Sequence, residues 1–297
     1  MKLLGSLIIL ISLGFAFKSK YISDLTRGQQ LLVTHEEHID WPVFSSNSDR
    51  IVFATQRDGY QEISLMYLNT FEIDKSYNGL YSAKYLQKGE GRGPFSQQIM
   101  TSKDTTFSQL SLSLNNNDLL SVSTINGLSK LLLIDIRAKS GDFLPITDVK
   151  YATWLSTTEI LWIADGSDKT IQLYNLETDE SQVYFESEHP INGISVQKYD
   201  VTVTCEEGVY VSKKAPLSWE WSSLPITGQQ TWFLNATTII STLKDGSSSI
   251  IDLNNNKMDQ IMFASTDKNP IVSFDERYIA FYSETVKGIV ITVLNDH

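Results

Sequence analysis

The sequence predicts an all-β fold, a six-bladed β-propeller of four-stranded antiparallel blades, closed by an N-terminal strand that joins the last blade. Three observations carry this expectation: a strand anchor that returns six times at nearly even spacing, a glycine turn behind each anchor, and an apolar position ahead of it.

The anchor is the apolar start of a strand, at Ile51, Leu119, Ile160, Val201, Ile239 and Ile279. The successive intervals are 68, 41, 41, 38 and 40 residues. An interval near 40 is the length of a four-stranded propeller blade. Six or seven residues before the anchors stand Phe44, Leu112, Trp154, Ile194, Trp232 and Val272, each expected to point from an inner strand into the packing between blades.

Behind the anchors come Asp58-Gly59, Asn126-Gly127, Asp165-Gly166, Glu207-Gly208, Asp245-Gly246 and Lys287-Gly288. A dipeptide ending in glycine suits a tight hairpin, because glycine reaches positive φ without a steric penalty. A third strand then begins at Ile63, Leu131, Ile171, Val209, Ile250 and Ile289. The outer strands are read at residues 143–146, 182–185, 219–222 and 260–263, with 81–86 as the counterpart in the first unit. The last unit shows none. Residues 31–34, ahead of the first unit, are expected to supply it and so remove two sheet edges.

One domain over residues 29–297 follows, with an irregular insertion at about 71–106 that accounts for the long first interval. That stretch contains Lys88-Gly89-Glu90-Gly91-Arg92-Gly93-Pro94, read as an excursion between blades and a candidate contact surface.

Composition fits a packed globular chain, with 41% hydrophobic and 20% charged residues. Acidic residues outnumber basic ones 35 to 24, and a net charge of −11 repels phosphate backbones, so nucleic acid is not expected as a partner. Cys205 is the one cysteine, which excludes an internal disulfide; in the alternating run Thr202-Val203-Thr204-Cys205 it reads as a strand residue rather than a nucleophile.

Residues 1–17 read as a signal peptide or signal anchor: Met1-Lys2, a hydrophobic run over 3–17, then Lys18-Ser19-Lys20. Gly14 and Ala16 fit cleavage after Ala16, while the following lysines suit an uncleaved anchor. The expected location is therefore periplasmic, or membrane-anchored through residues 3–17 and facing the periplasm.

Two segments resemble the WD-like repeat of TolB and its relatives, whose units run Pro-x-Phe-Ser-Pro-Asp-Gly-Lys-x-Ile-Ala-Phe. They are Pro42-Val43-Phe44-Ser45-Ser46-Asn47-Ser48-Asp49-Arg50-Ile51-Val52-Phe53 and Pro270-Ile271-Val272-Ser273-Phe274-Asp275-Glu276-Arg277-Tyr278-Ile279-Ala280-Phe281. Both lose part of the Pro-Asp-Gly core, and the middle four units keep the spacing alone. The arrangement is also similar to the envelope domains of CadC-like and ToxR-like membrane regulators. The resemblance implies a binding or sensing propeller and transfers no catalytic residue.

No Gly-x-Ser-x-Gly elbow and no P-loop ending is present. His35-Glu36-Glu37-His38 spaces its histidines three apart ahead of a strand, where a helical zinc motif needs four, so no metal and no cofactor is expected. Asn254-Asn255-Asn256 reads as a hairpin turn rather than a calcium loop. The expectation is a non-enzymatic module that binds a protein or peptide of the cell envelope. Two alternatives stand beside it: a hydrolase or lyase using carboxylates around the channel, and a sugar-binding propeller using Trp41, Trp219 and Trp221 as surface aromatics.

Links from each outer strand to the next inner strand emerge on one face of a propeller, so their residues converge. The expected partner-binding face comprises His35, His38, Asp40, Trp41, Tyr151, Glu188, His189, Asn192, Gln230 and Asn269. Histidines among carboxylates there suggest binding coupled to external pH.

Overall fold

The computed structural model describes residues 20–21, 26–34, 39–67, 96–214, 219–224, 230–235, 237–242, 248–254, 257–262, 267–283 and 288–294. Two strands come first, β1 (Lys20–Tyr21) and β2 (Thr26–Thr34). The first sheet holds β3 (Ile39–Phe44), β4 (Arg50–Arg57), β5 (Tyr60–Tyr67) and β6 (Ser96–Ser102). The second holds β7 (Thr105–Leu112), β8 (Asp118–Ile125), β9 (Leu128–Asp135) and β10 (Ser140–Thr147). The third holds β11 (Val149–Trp154), β12 (Glu159–Ala164), β13 (Ser167–Asn175) and β14 (Glu180–Glu186). The fourth holds β15 (Ile191–Gln197), β16 (Asp200–Cys205), β17 (Gly208–Lys214) and β18 (Trp219–Leu224). The fifth is built on β19 (Gln230–Asn235), β20 (Thr238–Thr242), β21 (Ser248–Asp252) and β22 (Lys257–Met262). The last contains β23 (Asp267–Val272), β24 (Tyr278–Ser283) and β25 (Gly288–Leu294), with β2 added beside β25.

Strands consecutive in the chain form an antiparallel meander in each sheet, as expected of a propeller. The expectation of six uniform four-stranded antiparallel blades needs correction: the four-stranded blades number five, not six. Five sheets have four strands, but the fifth has five, because β1 pairs in parallel with the outer strand β22 through Lys20↔Ile261 and Tyr21↔Met262. An outer strand presents unpaired amides and carbonyls, and a short added strand satisfies them. In the last sheet β2 pairs antiparallel with β25, from Thr26↔Leu294 to Thr34↔Gly288.

The first strands β3, β7, β11, β15, β19 and β23 contact one another in that order, and β23 returns to β3. Between neighbouring sheets lie the hydrophobic clusters. Ile51, Phe53 and Met66 of the first sheet meet Ala280, Tyr282 and Ile289 of the last, and Val52, Ile63 and Leu65 meet Phe107 and Leu119 of the second. Alternate residues of one strand thus face opposite neighbours, and the core is distributed as layers between sheets. Burying each such side chain contributes about 1.5–3 kcal/mol, which is how a chain without disulfides holds a ring.

The hairpins at Asp58-Gly59 and Asn126-Gly127 place both residues at positive φ, 51° and 77° in one, 52° and 79° in the other. This is the turn whose twist matches two antiparallel strands. Cys205 is fully buried in β16, and burial pushes its thiol up, which makes it a packing residue. Asn254 donates its backbone amide to Asp252 Oδ1 at 2.8 Å, the local bond of an Asx turn.

Ile194 packs between the third and fourth sheets as expected, but the register of the anchors changes in two sheets. Phe44, Leu112, Trp154 and Val272 pair with Ile51, Leu119, Ile160 and Ile279, but their counterparts in the fourth and fifth sheets are Val196, opposite Val201, and Phe233, opposite Ile239. The hairpins are shorter there: only Lys198 and Tyr199 separate β15 from β16. Trp232 consequently faces away from the inter-sheet core. The fourth strand of the first sheet is β6, inside the stretch read as an excursion, with Ile99 buried against Ile63 and Leu65. Residues 81–86 and 88–94, and the signal or anchor at 1–17, lie outside the described residues.

Candidate functional site

The ring of first strands encloses a cavity of about 220 Å³. Its wall is built by a repeated irregularity. Every first strand carries a register shift against its partner. In β3, Trp41 and Pro42 together oppose Phe53; in β7, Gln109 and Leu110 oppose Ser121. Trp41 and Gln109 take φ of 52° and 50°. A bulge of this kind kinks the strand and re-aims a side chain, and both residues line the cavity.

The remaining wall comes from the other first strands and the turns that follow them. Tyr151 and Thr153 come from β11, Ser195 and Gln197 from β15, Gln230 and Trp232 from β19, and Ile271 from β23. Aromatic residues on the wall include Trp41, Tyr151 and Trp232 from the first, third and fifth sheets, with Tyr199 and Phe274 from turns of the fourth and last. Among the described lining residues there is no carboxylate, and Lys198 is the one cation. The carboxylates that a channel hydrolase or lyase would use are not among them, and no cluster of metal ligands occurs among the described residues.

At one end of the cavity stand the turns that join first to second strands. Three of them share a serine, fully buried, whose hydroxyl accepts the amide five residues on: Ser45 from Arg50 at 3.0 Å, Ser113 from Asp118 at 3.1 Å and Ser273 from Tyr278 at 2.8 Å. The glycine of the Pro-Asp-Gly pattern is replaced by Ser48, Asn116 and Glu276, and these keep its conformation, with φ of 57°, 60° and 62°. A side chain in that region is unfavourable, so the three turns share one geometry and hold it at some strain.

Neighbouring turns are bonded to each other. Ser46 donates its amide to Asn116 Oδ1 and its hydroxyl to the Leu114 carbonyl, both at 2.7 Å, and Asp275 donates its amide to Ser48 Oγ at 3.1 Å. Lys198 reaches over from the fourth sheet to Glu276 of the last, Nζ to Oε1 at 2.7 Å, and its ammonium stands 5.6 Å from the centre of the Phe274 ring. Lys198 and Tyr199 form a two-residue turn with φ of 50° and 75°, a conformation that glycine or asparagine fills more easily. Burial raises the Asp275 carboxyl, but hydrogen bonds with Ser273, Ser48 and Arg277 outweigh it and hold the group below the usual carboxylate range. At Asp49 burial is likewise outweighed, by Arg50, Ser45 and Asn47.

No protein-family model matches the sequence, and no curated protein matches it. Solved structures do. The structure of U3-55K aligns with 91% of this chain and 100% of its own, at 9% identity and a TM-score of 0.56. The crystal structure of the RRP9 WD40 repeats aligns with 91% of this chain and 99% of its own, at 11% identity and a TM-score of 0.55. TolB from Acinetobacter baumannii aligns with 89% of this chain and 56% of its own, at 11% identity and a TM-score of 0.47. The shared feature is the β-propeller fold. The likeness to CadC-like and ToxR-like regulators gains no support from these three.

Of the ten residues expected at a partner-binding face, Trp41, Tyr151 and Gln230 meet at the cavity wall. Asn192 is the unpaired residue of the β15 bulge, half-buried. Glu188 is exposed, and His189 lies in the link between the third and fourth sheets, its amide donating to Ser187 Oγ at 3.1 Å and its Nε2 standing 2.9 Å from Glu207 Oε2 in the fourth-sheet hairpin. His35 and His38 lie outside the described residues. Asp40 falls on β3 and Asn269 on β23, but their side chains lie outside the described set. Trp221 packs on Tyr184 and Phe185, with ring centres 6.0 and 4.6 Å away, and the Trp219 side chain lies outside the described set.

Gln109 and Gln197 were not singled out from the sequence, and Trp232 reads there as an inter-blade packing residue rather than a wall residue. One signal was available: Gln109 stands ten residues before Leu119, as Trp41 stands ten before Ile51. No comparable signal announces Lys198 or Glu276, whose pairing depends on two turns 78 residues apart.

Proposed function

We propose that this chain is a non-enzymatic binding module of the cell envelope, recognising a protein or peptide partner on the face where successive sheets are linked. The observation that carries the reading is the convergence of Trp41, Tyr151 and Gln230, from three sheets, on one cavity wall. A rigid ring presenting aromatic and amide groups at its mouth is a surface that recognises shape, and aromatic anchors carry most of the energy at such interfaces. In this reading the pairing of β2 with β25 closes the ring. Export through residues 1–17 belongs to the same proposal.

Crosslinking in an envelope extract, with the purified chain as bait, tests it. A specific partner is expected, with capture reduced at least about tenfold by combined Trp41→Ala and Tyr151→Ala, as for loss of an interface hot spot. Recovery of no partner, or capture indifferent to both substitutions, overturns the reading. Mass spectrometry of the mature chain reads export separately: Phe17 as the first residue means cleavage, and an intact Met1 in the membrane fraction means an anchor.

A further inference from the structure

The cavity wall has a chemistry that the recognition of a protein partner does not use. We infer that the channel is a binding site for a neutral, ring-sized polyhydroxy compound, a free monosaccharide or the terminal sugar of a glycan. This goes beyond the reading above and stands independently of it.

Size is the first constraint. At about 220 Å³ the cavity lies below the several hundred Å³ of sites for drug-sized ligands, and a single sugar ring suits that volume better than an extended peptide.

Charge is the second. The described wall holds no carboxylate, and its one cation, Lys198, is neutralised by Glu276 at 2.7 Å. An anionic or cationic ligand would meet no free counter-charge among the described lining residues, at a large desolvation cost.

The third constraint is the kind of polar group present. Gln109, Gln197 and Gln230 each carry an amide, with donors and an acceptor side by side, which matches hydroxyl groups that both donate and accept. Three hydroxyls on the wall are already engaged: those of Ser111 and Thr153 bond each other at 3.1 Å, and that of Thr231 bonds Ser241 at 3.1 Å. Gln197 differs. Its Nε2 is buried and has no protein partner, and a buried amide donor left unpaired is unfavourable. A hydroxyl oxygen in the channel would satisfy it. Trp232, displaced from the inter-sheet core by the short fifth-sheet hairpin, supplies an indole on the same wall, and an indole face is a platform for the C–H side of a sugar ring.

The test is saturation-transfer NMR on the full chain with four neutral probes: glucose, galactose, mannose and N-acetylglucosamine. At least one is expected to bind saturably, with affinity reduced about tenfold by Gln197→Met, which keeps the volume and removes the amide. Trp232→Ala is expected to weaken it further; since that change also alters β19, the Gln197 variant decides the matter alone. A free sugar and a glycan end are separated by comparing the winning monosaccharide with its methyl glycoside. Equal affinity points to a glycan end, and loss on methylation to the free sugar. Absence of binding by all four probes, or binding indifferent to Gln197→Met, overturns the inference, whatever the outcome of partner capture.

Discussion

Lys198 Nζ stands 2.7 Å from Glu276 Oε1, joining the fourth sheet to the last across the end of the channel and passing over the fifth. Its ends are unequal: the lysine side chain is 46% exposed and the glutamate 29%. An ion pair so exposed contributes at most about 1 kcal/mol. The turn that presents the lysine works against it, since Lys198 and Tyr199 both sit at positive φ. Combining Lys198→Asn with Tyr199→Gly is therefore expected to stabilise the chain by about 1 kcal/mol while breaking the bridge, and Lys198→Met alone to cost less than about 1 kcal/mol. Urea denaturation checks both; destabilisation of the double variant by more than the single one refutes the account of the turn.

Asp275 and Asp49 lead to a prediction in acid. Their carboxyls are held below the ordinary value in the folded state, so each contributes stability that is fully present above about pH 4, the unfolded range, and is lost as pH falls through the folded value. The urea midpoint should fall between about pH 5 and about pH 3, and Asp275→Asn should flatten that fall. A parallel fall in the variant shows that other groups control it.

Trp154 is bonded across the second and third sheets, its Nε1 donating to the Ser111 carbonyl at 3.1 Å and its amide to Ser111 Oγ at 3.2 Å. Trp154→Phe removes one donor and is expected to cost about 1 kcal/mol, whereas Trp154→Ala also empties a core position and should cost about 3–5 kcal/mol. Thermal unfolding distinguishes the two; equal losses contradict a role for the indole N–H.

Cys205 should be silent to thiol reagents in the native chain. It is buried, its thiol is pushed up by that burial, and it contacts Ser187 Oγ at 3.4 Å. Labelling should follow global unfolding in a denaturant series; labelling well before it reveals local opening of β16.

The spacing of six anchors and the glycine turns made the propeller legible, because both follow from local chemistry: strands need alternating burial, and tight hairpins need positive φ. Asp58-Gly59 and Asn126-Gly127 show this directly. What escaped was set by length changes of one or two residues. The two-residue hairpin at Lys198-Tyr199 moved the fourth-sheet anchor to Val196, and the short fifth-sheet hairpin moved the next to Phe233 and left Trp232 on the channel wall. The parallel addition of β1 to β22 had no periodic signal either, being a pairing between chain segments about 240 residues apart. Of the site, Trp41, Tyr151 and Gln230 were readable from their place at the start of first strands, whereas Gln197 became visible only once its buried amide could be seen to lack a partner.

The pairing of β2 with β25 also fixes an order of events during synthesis. Thr34 leaves the ribosome about 250 residues before Gly288, its partner in the register. At roughly 5–20 residues per second, β2 waits on the order of ten to fifty seconds for the strand it must join. During that interval the first sheet can form, but its neighbour on one side is missing and Ile51, Phe53 and Met66 have nothing to pack against. The joining of β2 to β25 is thus a late, long-range step with a large loop to close, slow by topology rather than by any single weak contact. A chaperone that shields that unfinished face would act on this chain before its last strands exist.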